Sequence, residues 1–136
     1  MKTETLILNT YAIIFILFSL PAFFMPELFA EILHFNIDLP GAKMEFVAAY
    51  GGLILGIGVF LMICARENSH FGLIALLIMI GSLFMGRVIG YFLDEETTSV
   101  QNTFLVIEFL TVLLILKLLS KQRIKQGQKL NSVSDT

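Results

Sequence analysis

Residues 71–93 read FGLIALLIMIGSLFMGRVIGYFL, an apolar stretch in which Arg87 is the only strongly charged side chain. A membrane-spanning helix needs about 20 mainly apolar residues. Three further stretches meet this requirement. Because short polar links make successive spans antiparallel, the predicted fold class is all-α, an integral membrane four-helix up-down bundle. The predicted spans cover about residues 6–25, 44–65, 71–93 and 103–119.

The overall composition supports a lipid environment. Of the 136 residues, 57% are hydrophobic and only 15% are charged, whereas soluble domains carry roughly 25% charged residues. A soluble chain of this length would leave too much apolar surface in water, because small domains bury only part of what they expose when unfolded. The basic residues are few and lie in or beside the spans, so the sequence indicates no nucleic-acid binding.

The charges between the spans predict an orientation. We expect one transmembrane domain, residues 1–120, and a basic, polar cytoplasmic tail, residues 121–136, that ends in disorder. Acidic residues dominate the first and third links, and loops rich in Lys and Arg stay in the cytoplasm. Both termini are therefore predicted to be cytoplasmic, in a bacterial inner membrane. The bases at and after the fourth span are Lys117, Lys121, Arg123, Lys125 and Lys129.

The first apolar stretch has two interpretations. A weak signal-peptide cleavage site lies near residues 28–30. The apolar run is longer than a usual signal-peptide core of about 7–15 residues, so we expect it to be a retained first span. Residues 26–35 follow it, with proline at the start and acids in the first turns. They predict a short amphipathic helix on the outer interface.

Three charged residues are predicted to share one depth in the membrane. At a rise of 1.5 Å per residue, Arg87 lies about 9 Å and Glu108 about 8 Å below the outer boundary, and Glu45 lies in the first turn of its span. Charges that persist in a bilayer usually pair or face a cavity. The candidate ligand-binding residues are Glu45, Tyr50, Arg87, Tyr91, Asp94 and Glu108. Three interpretations stay open: a pair that sets helix register, a ligand or catalytic pocket, and charges that extend separately to the interface.

Small residues recur at four-residue spacing in two consecutive spans. In lipid, helix pairing depends on close backbone approach. We therefore expect spans two and three to pack tightly through these residues, with a second copy of the chain as the alternative partner. The predicted helix-packing residues are Ala48, Gly52 and Gly56 in span two, and Ser82, Gly86 and Gly90 in span three.

Metal and redox chemistry have little support in the sequence. Cys64 is the only cysteine, so an intrachain disulfide and a cysteine-pair redox site are excluded. The Glu31-x-x-His34 spacing is used in di-metal helical bundles, where it occurs on two helices. Here it occurs once, and we predict no metal site. The sequence identifies no particular cofactor.

The order of these residues resembles a known bacterial family. The family consists of small four-helix membrane proteins of unknown function, distantly DoxX-like. The resemblance covers about residues 6–119 and implies the inner-membrane four-helix fold. It implies little about activity: some DoxX-like relatives are accessory subunits in thiosulfate:quinone chemistry, and this chain has neither a redox cysteine pair nor a haem motif. The residues that carry it are Glu45-x4-Tyr50-Gly51-Gly52-x3-Gly56-x-Gly58, Gly86-Arg87-x2-Gly90, Asp94 and Glu108.

Two functions from different classes follow. The first is a non-catalytic accessory or oligomeric membrane subunit that binds a small polar molecule or a lipid headgroup. The alternative is a membrane enzyme or carrier with an outward-facing pocket, in which Arg87 holds an anionic group and Glu45 or Glu108 transfers protons. The expected partners are the lipid bilayer, a second copy or another membrane protein, and a small-molecule or lipid ligand.

Overall fold

The computed structural model describes residues 3–93 and 97–134, of which residues 123–134 are described as backbone only. The described residues form helices and no β-strand, and four helices are long and apolar enough to cross a membrane. The predicted fold class is confirmed, and the predicted span limits agree to within about one helical turn. The elements are α1 (Thr3–Phe24), α2 (Pro26–Ile32), α3 (Ala42–Phe46), a π-helix (Val47–Leu53), α4 (Ile54–Glu67), α5 (Ser69–Leu93) and α6 (Ser99–Ser134).

The chain divides by its contacts into two compact units, Met1–Gly72 and Leu73–Thr136. In the first unit, α1 packs on α4 and the π-helix. Phe23 lies against Gly51, and Ile16 lies against Gly58. These contacts run in opposite order along the two helices, so α1 and α4 are antiparallel, as a short connection requires.

The segment α2 is the predicted amphipathic helix, shorter than residues 26–35. Phe29 and Ala30 are buried, while Glu27 and Glu31 face solvent. The helix ends where His34 adopts a left-handed backbone, with φ +62°. The His34 amide donates to the Glu31 carbonyl at 3.0 Å, and the Phe35 amide donates to the Ala30 carbonyl at 2.8 Å. This is a Schellman ending, which satisfies two otherwise unpaired carbonyls.

Aromatic rings hold α2 in place against the rest of the first unit. Phe29 makes edge-on contacts with its neighbours, a geometry that the ring quadrupole favours. The tightest pair is Phe46 and Tyr50, whose ring centroids are 4.7 Å apart. The cluster contains Phe18, Phe29, Phe35, Phe46 and Tyr50.

In the second unit, α5 and α6 form an antiparallel pair. The Phe84 and Phe109 rings lie 5.7 Å apart, and Arg87 contacts both Phe104 and Glu108. The helix α6 runs well past the predicted end of span four. The described backbone of the tail is helical to Ser134, and disorder at the end of the tail stays a prediction. Its Lys, Gln, Arg and Leu residues are good helix formers, so a polar composition does not end the helix here.

Candidate functional site

The centre of the candidate site is an ion pair between α5 and α6. The Arg87 Nε donates to Glu108 Oε1 at 2.8 Å. The Glu108 side chain is 9% exposed and that of Arg87 is 31% exposed. The pair is therefore asymmetric: the carboxylate lies inside the unit, and the guanidinium reaches outward from it. Hydrogen bonds between ionised groups are about twice as strong as neutral ones.

The surroundings of the pair are mainly apolar. The Arg87 guanidinium carbon lies 5.0 Å from the centre of the Phe104 ring, a cation–π contact. Further along α6, the Thr111 hydroxyl donates to the Ile107 carbonyl at 2.8 Å. This buried hydroxyl therefore has a hydrogen-bond partner. The second oxygen of Glu108, Oε2, is buried without a hydrogen-bond partner among the described residues. Such an atom is expensive to bury.

A cavity of about 170 Å³ opens beside the guanidinium. On the α5 side it is lined by Arg87, Gly90 and Tyr91. The lining on the other side comes from the residues just before α6 and from its first turns: Thr97, Gln101, Asn102 and Leu105. All seven residues belong to the second unit. Arg87 is the charged residue of this lining, and Tyr91, which is half exposed, contributes an aromatic ring. The cavity therefore offers a ligand both a cationic and an aromatic contact.

Local hydrogen bonds at the start of α6 fix the side chains that line this side of the cavity. The Gln101 amide donates to Thr98 Oγ1, and the Thr98 amide donates to Gln101 Oε1, both at 3.3 Å. This reciprocal arrangement is a capping box, which satisfies two of the free donors at a helix start. Next to it, Asn102 Nδ2 donates to Thr97 Oγ1 at 3.3 Å. Local hydrogen bonds therefore orient three of the polar side chains at the cavity.

The predicted ligand-binding residues lie in different places. Arg87 and Tyr91 line the cavity, and Glu108 forms the ion pair with Arg87. Asp94 lies outside the described residues. Glu45 and Tyr50 belong to the first unit, where Glu45 is exposed in α3 and Tyr50 stacks in the aromatic cluster. A shared site for Glu45, Arg87 and Glu108 stays a prediction.

Tyr50 lies in a π-helix, Val47–Leu53, that the sequence analysis did not anticipate. The extra residue per turn shifts the side chains that follow it around the helix axis. Single π-helical turns occur mostly inside α-helices and often mark functional positions. The adjacent Gly51 and Gly52 were the only local signal, since paired small residues are a known cause of helix irregularity.

The predicted site residues do not include the α6 side of the cavity. Thr97, Gln101 and Asn102 were treated as part of a polar link and the start of a span. The Thr98-x-x-Gln101 spacing is a recognisable helix-start pattern. It would have placed the first turn of α6, and hence Gln101 and Asn102, opposite the end of span three.

The predicted packing stripe in span two does not face α1, and its packing against span three stays a prediction. Gly52 and Gly56 are exposed, and a Cβ added at either would meet nothing within 4 Å. The close approach is at Gly58 instead, where a Cβ would lie 2.8 Å from Ile16 Cγ1 and 2.9 Å from the Ala12 carbonyl oxygen. A helix packs through the face that its partner reaches, and α1 reaches the face that carries Gly51 and Gly58. Ala48 is also exposed.

The stripe in span three has similar surroundings. Ser82 and Gly86 are exposed and Gly90 is half-buried, and a Cβ added at either glycine would meet nothing within 4 Å. At the start of α5, by contrast, Gly72 is tightly enclosed. A Cβ there would lie 2.7 Å from Leu8 Cδ1 and 2.8 Å from Cys64 Cβ. Contact of the stripe glycines with a second copy of the chain stays a prediction.

A separate ion pair lies in the first unit, between α2 and the start of α3. Lys43 at the start of α3 donates to the Glu27 carboxylate on α2. This hydrogen bond, more than the charge of Lys43, lowers the pKa of Glu27 below its ordinary value. Both side chains are mostly exposed, so the pair adds little stability.

Sequence comparison places the chain in a family. A family model described as "Domain of unknown function (DUF4345)" matches residues 3–119. No curated protein and no solved structure matches the chain at a significant level. The matched region contains every predicted span and every lining residue of the cavity. The chain belongs to the DUF4345 family, a domain family of unknown function.

Proposed function

We propose that this DUF4345 protein is a non-catalytic accessory or oligomeric subunit of a bacterial cytoplasmic membrane. Its role is to bind a small polar molecule or a lipid headgroup beside Arg87. The observation that carries the proposal is the cavity of about 170 Å³ between α5 and α6, with a guanidinium in its wall. Small-molecule sites combine an apolar pocket with a few placed polar groups, and this lining has that character.

The orientation is part of the proposal. The positive-inside rule puts the basic residues that follow the fourth span in the cytoplasm. Both termini are then cytoplasmic, and the α5–α6 connection faces the periplasm. The cavity opens next to that connection, so its ligand comes from the periplasm or from the outer leaflet. The distant DoxX-like kinship, in which some relatives are accessory subunits, belongs to the same proposal.

A second copy of the chain is the proposed membrane partner. The exposed Gly52 and Gly86 support this, because exposed small residues on a membrane helix allow another backbone to approach closely. A leucine at Gly52 or Gly86 should then separate the copies and leave each fold intact.

An enzyme or carrier is the second candidate function. The observation in its favour is the buried Oε2 of Glu108, which has no hydrogen-bond partner in the described part of the chain, since a carboxylate oxygen that lacks a hydrogen bond is a candidate proton acceptor. In this function Arg87 holds an anionic group while Glu108, or Glu45, transfers a proton. A bound molecule that is recovered chemically changed would favour this candidate over a simple binding role.

The test is native mass spectrometry of the full chain in a mild detergent. We expect the wild type to retain a bound molecule and the copy number to be read from the same spectrum. Leu105→Trp should fill the cavity and remove the bound mass, because Leu105 is in its wall. Leu110→Trp is the matched control, since Leu110 is 58% exposed on the same helix.

Two results would contradict the binding role. One is a wild-type protein that carries no molecule in gentle detergent or in nanodiscs. The other is a bound mass that Leu105→Trp and Leu110→Trp retain equally, because the molecule would then lie elsewhere.

A further inference from the structure

Gln101 and Thr97, which line the cavity, use their side-chain oxygens to accept hydrogen bonds from neighbouring residues. Their side-chain donors are then free for a ligand. Gln101 Oε1 accepts from the Thr98 amide, and the Gln101 Nε2 group has no acceptor among the described residues. Thr97 Oγ1 accepts from Asn102, so the Thr97 hydroxyl hydrogen is also available. Of the cavity's side-chain amides, only Asn102 keeps a carbonyl oxygen without a partner among the described residues. A lining that offers mainly donors is complementary to a ligand rich in acceptor oxygens.

The guanidinium adds the strongest donors. Glu108 occupies the Nε edge of Arg87, and the Nη1 and Nη2 groups have no acceptor among the described residues. Those two nitrogens form a planar fork that binds carboxylate and phosphate oxygens in pairs. Because Glu108 is buried behind the guanidinium, the fork remains available at the side chain's exposed end.

The position of the cavity at the start of a long helix favours an anion further. The N-terminal end of a helix carries a partial positive charge of about half an elementary charge. Gln101 and Asn102 are in the first turn of α6, and both line the cavity. The helix end alone would carry no conclusion, but it acts in the same direction as the fork and the free side-chain donors.

The size of the cavity limits what enters it. A cavity of about 150 Å³ holds one benzene ring, and drug-sized ligands need roughly 300–1,000 Å³. The cavity here is about 170 Å³. It therefore takes a compact group of a few heavy atoms, such as a phosphate, while a larger attached chain stays outside.

We propose that the cavity beside Arg87 binds a phosphate-type oxyanion, as a free ion or as a phospholipid headgroup. The proposal rests on the proposed binding function and adds the chemical class of the ligand. Arg87 holds two oxygens, and Gln101 and Thr97 donate to the others. Glu108 is a positioning residue: it orients the fork and does not touch the anion.

The test compares three probes on purified full-length protein in a neutral maltoside detergent. The probes are inorganic phosphate, dihexanoyl phosphatidic acid, and dihexanoylglycerol, which has the same chains and no phosphate. Calorimetry should detect the phosphate-bearing probes and not dihexanoylglycerol. Binding of inorganic phosphate identifies a free ion as sufficient, whereas binding of phosphatidic acid alone assigns the headgroup.

Two variants test the charge of the ligand and one of its hydrogen-bond donors without removing Arg87. Glu108→Gln keeps an oxygen for the Nε hydrogen bond and removes the negative charge behind the fork. For charges about 7 Å apart, this tightens anion binding roughly 3- to 50-fold, the range between effective dielectric constants of 80 and 20. Thr97→Val removes one hydroxyl donor to the charged ligand, keeps the shape of the side chain, and should weaken binding about tenfold.

The possible outcomes separate the two proposals. Tighter binding in Glu108→Gln, with no binding of dihexanoylglycerol, supports the oxyanion. If Glu108→Gln binds no more tightly, or if dihexanoylglycerol binds as well as phosphatidic acid, the oxyanion is refuted while a polar ligand in the cavity survives. If none of the probes binds and the native protein carries no molecule either, the binding function itself fails.

Discussion

The helix contact at Gly58 makes the sharpest prediction about the fold. A Cβ at this position would lie 2.8 Å from Ile16 Cγ1, 2.9 Å from the Ala12 carbonyl oxygen and 3.1 Å from the Ile16 amide nitrogen. Carbon atoms in ordinary contact are about 3.5–4.0 Å apart. Two of the three neighbours are backbone atoms, which cannot rotate away, so α1 must shift by several tenths of an ångström.

Gly58→Ala should therefore destabilise the first unit relative to Gly56→Ala. Both variants gain the same helix propensity, about 1 kcal/mol in water, so this term cancels in the comparison. The difference that remains is the overpacking cost, typically about 1–3 kcal/mol. Gly51→Ala should fall between them, because the Cβ meets the ring of Phe23, a 42% exposed side chain that can move aside.

Cys64 provides the assay. It is the only cysteine in the chain and it is 6% exposed, so a fluorogenic thiol dye reacts with it only after the first unit opens. The melting temperature in detergent should be lower for Gly58→Ala than for Gly56→Ala. Equal melting temperatures would refute the close α1–α4 contact. A lower value for Gly56→Ala would instead support the stripe that the sequence analysis chose.

Two further predictions concern the polar ends of helices. Because the hydrogen bond from Lys43 lowers the pKa of Glu27, the pair's contribution to stability is present above the ordinary pKa of a glutamate and is lost as pH falls through the lowered value. The melting temperatures of wild type and Lys43→Met should therefore differ near neutral pH and converge in acid; a constant difference would contradict this. Thr98→Ala removes the capping box and should destabilise the start of α6 by about 1 kcal/mol. Amide hydrogen exchange would then accelerate in the first turn of α6, whereas Thr98→Ser should exchange like the wild type.

Part of the candidate site follows from the sequence because charges in apolar spans need partners. Arg87 and Glu108 are isolated in their stretches, and antiparallel spans bring them to one level, where the structure joins them. The cavity does not follow in this way. Its size depends on where Tyr91, Leu105 and Asn102 lie relative to each other, and these distances depend on the angle and spacing of α5 and α6. A search by charge alone also cannot find Thr97 and Gln101, because neutral polar residues beside a link look like ordinary loop residues.

The hydropathy of the chain determined its fold class, its four candidate spans and their approximate limits. The physical reason is that transfer of a 20-residue segment into lipid depends on its composition and not on its neighbours. The tertiary structure alone decided which face of each helix makes contact. Consecutive residues of a helix point in different directions around its axis, so Gly51 and Gly52 lie on different surfaces although they are adjacent in the sequence. Only the position of α1 selects Gly51 and Gly58, and only the approach of α6 to α5 creates a cavity beside Arg87.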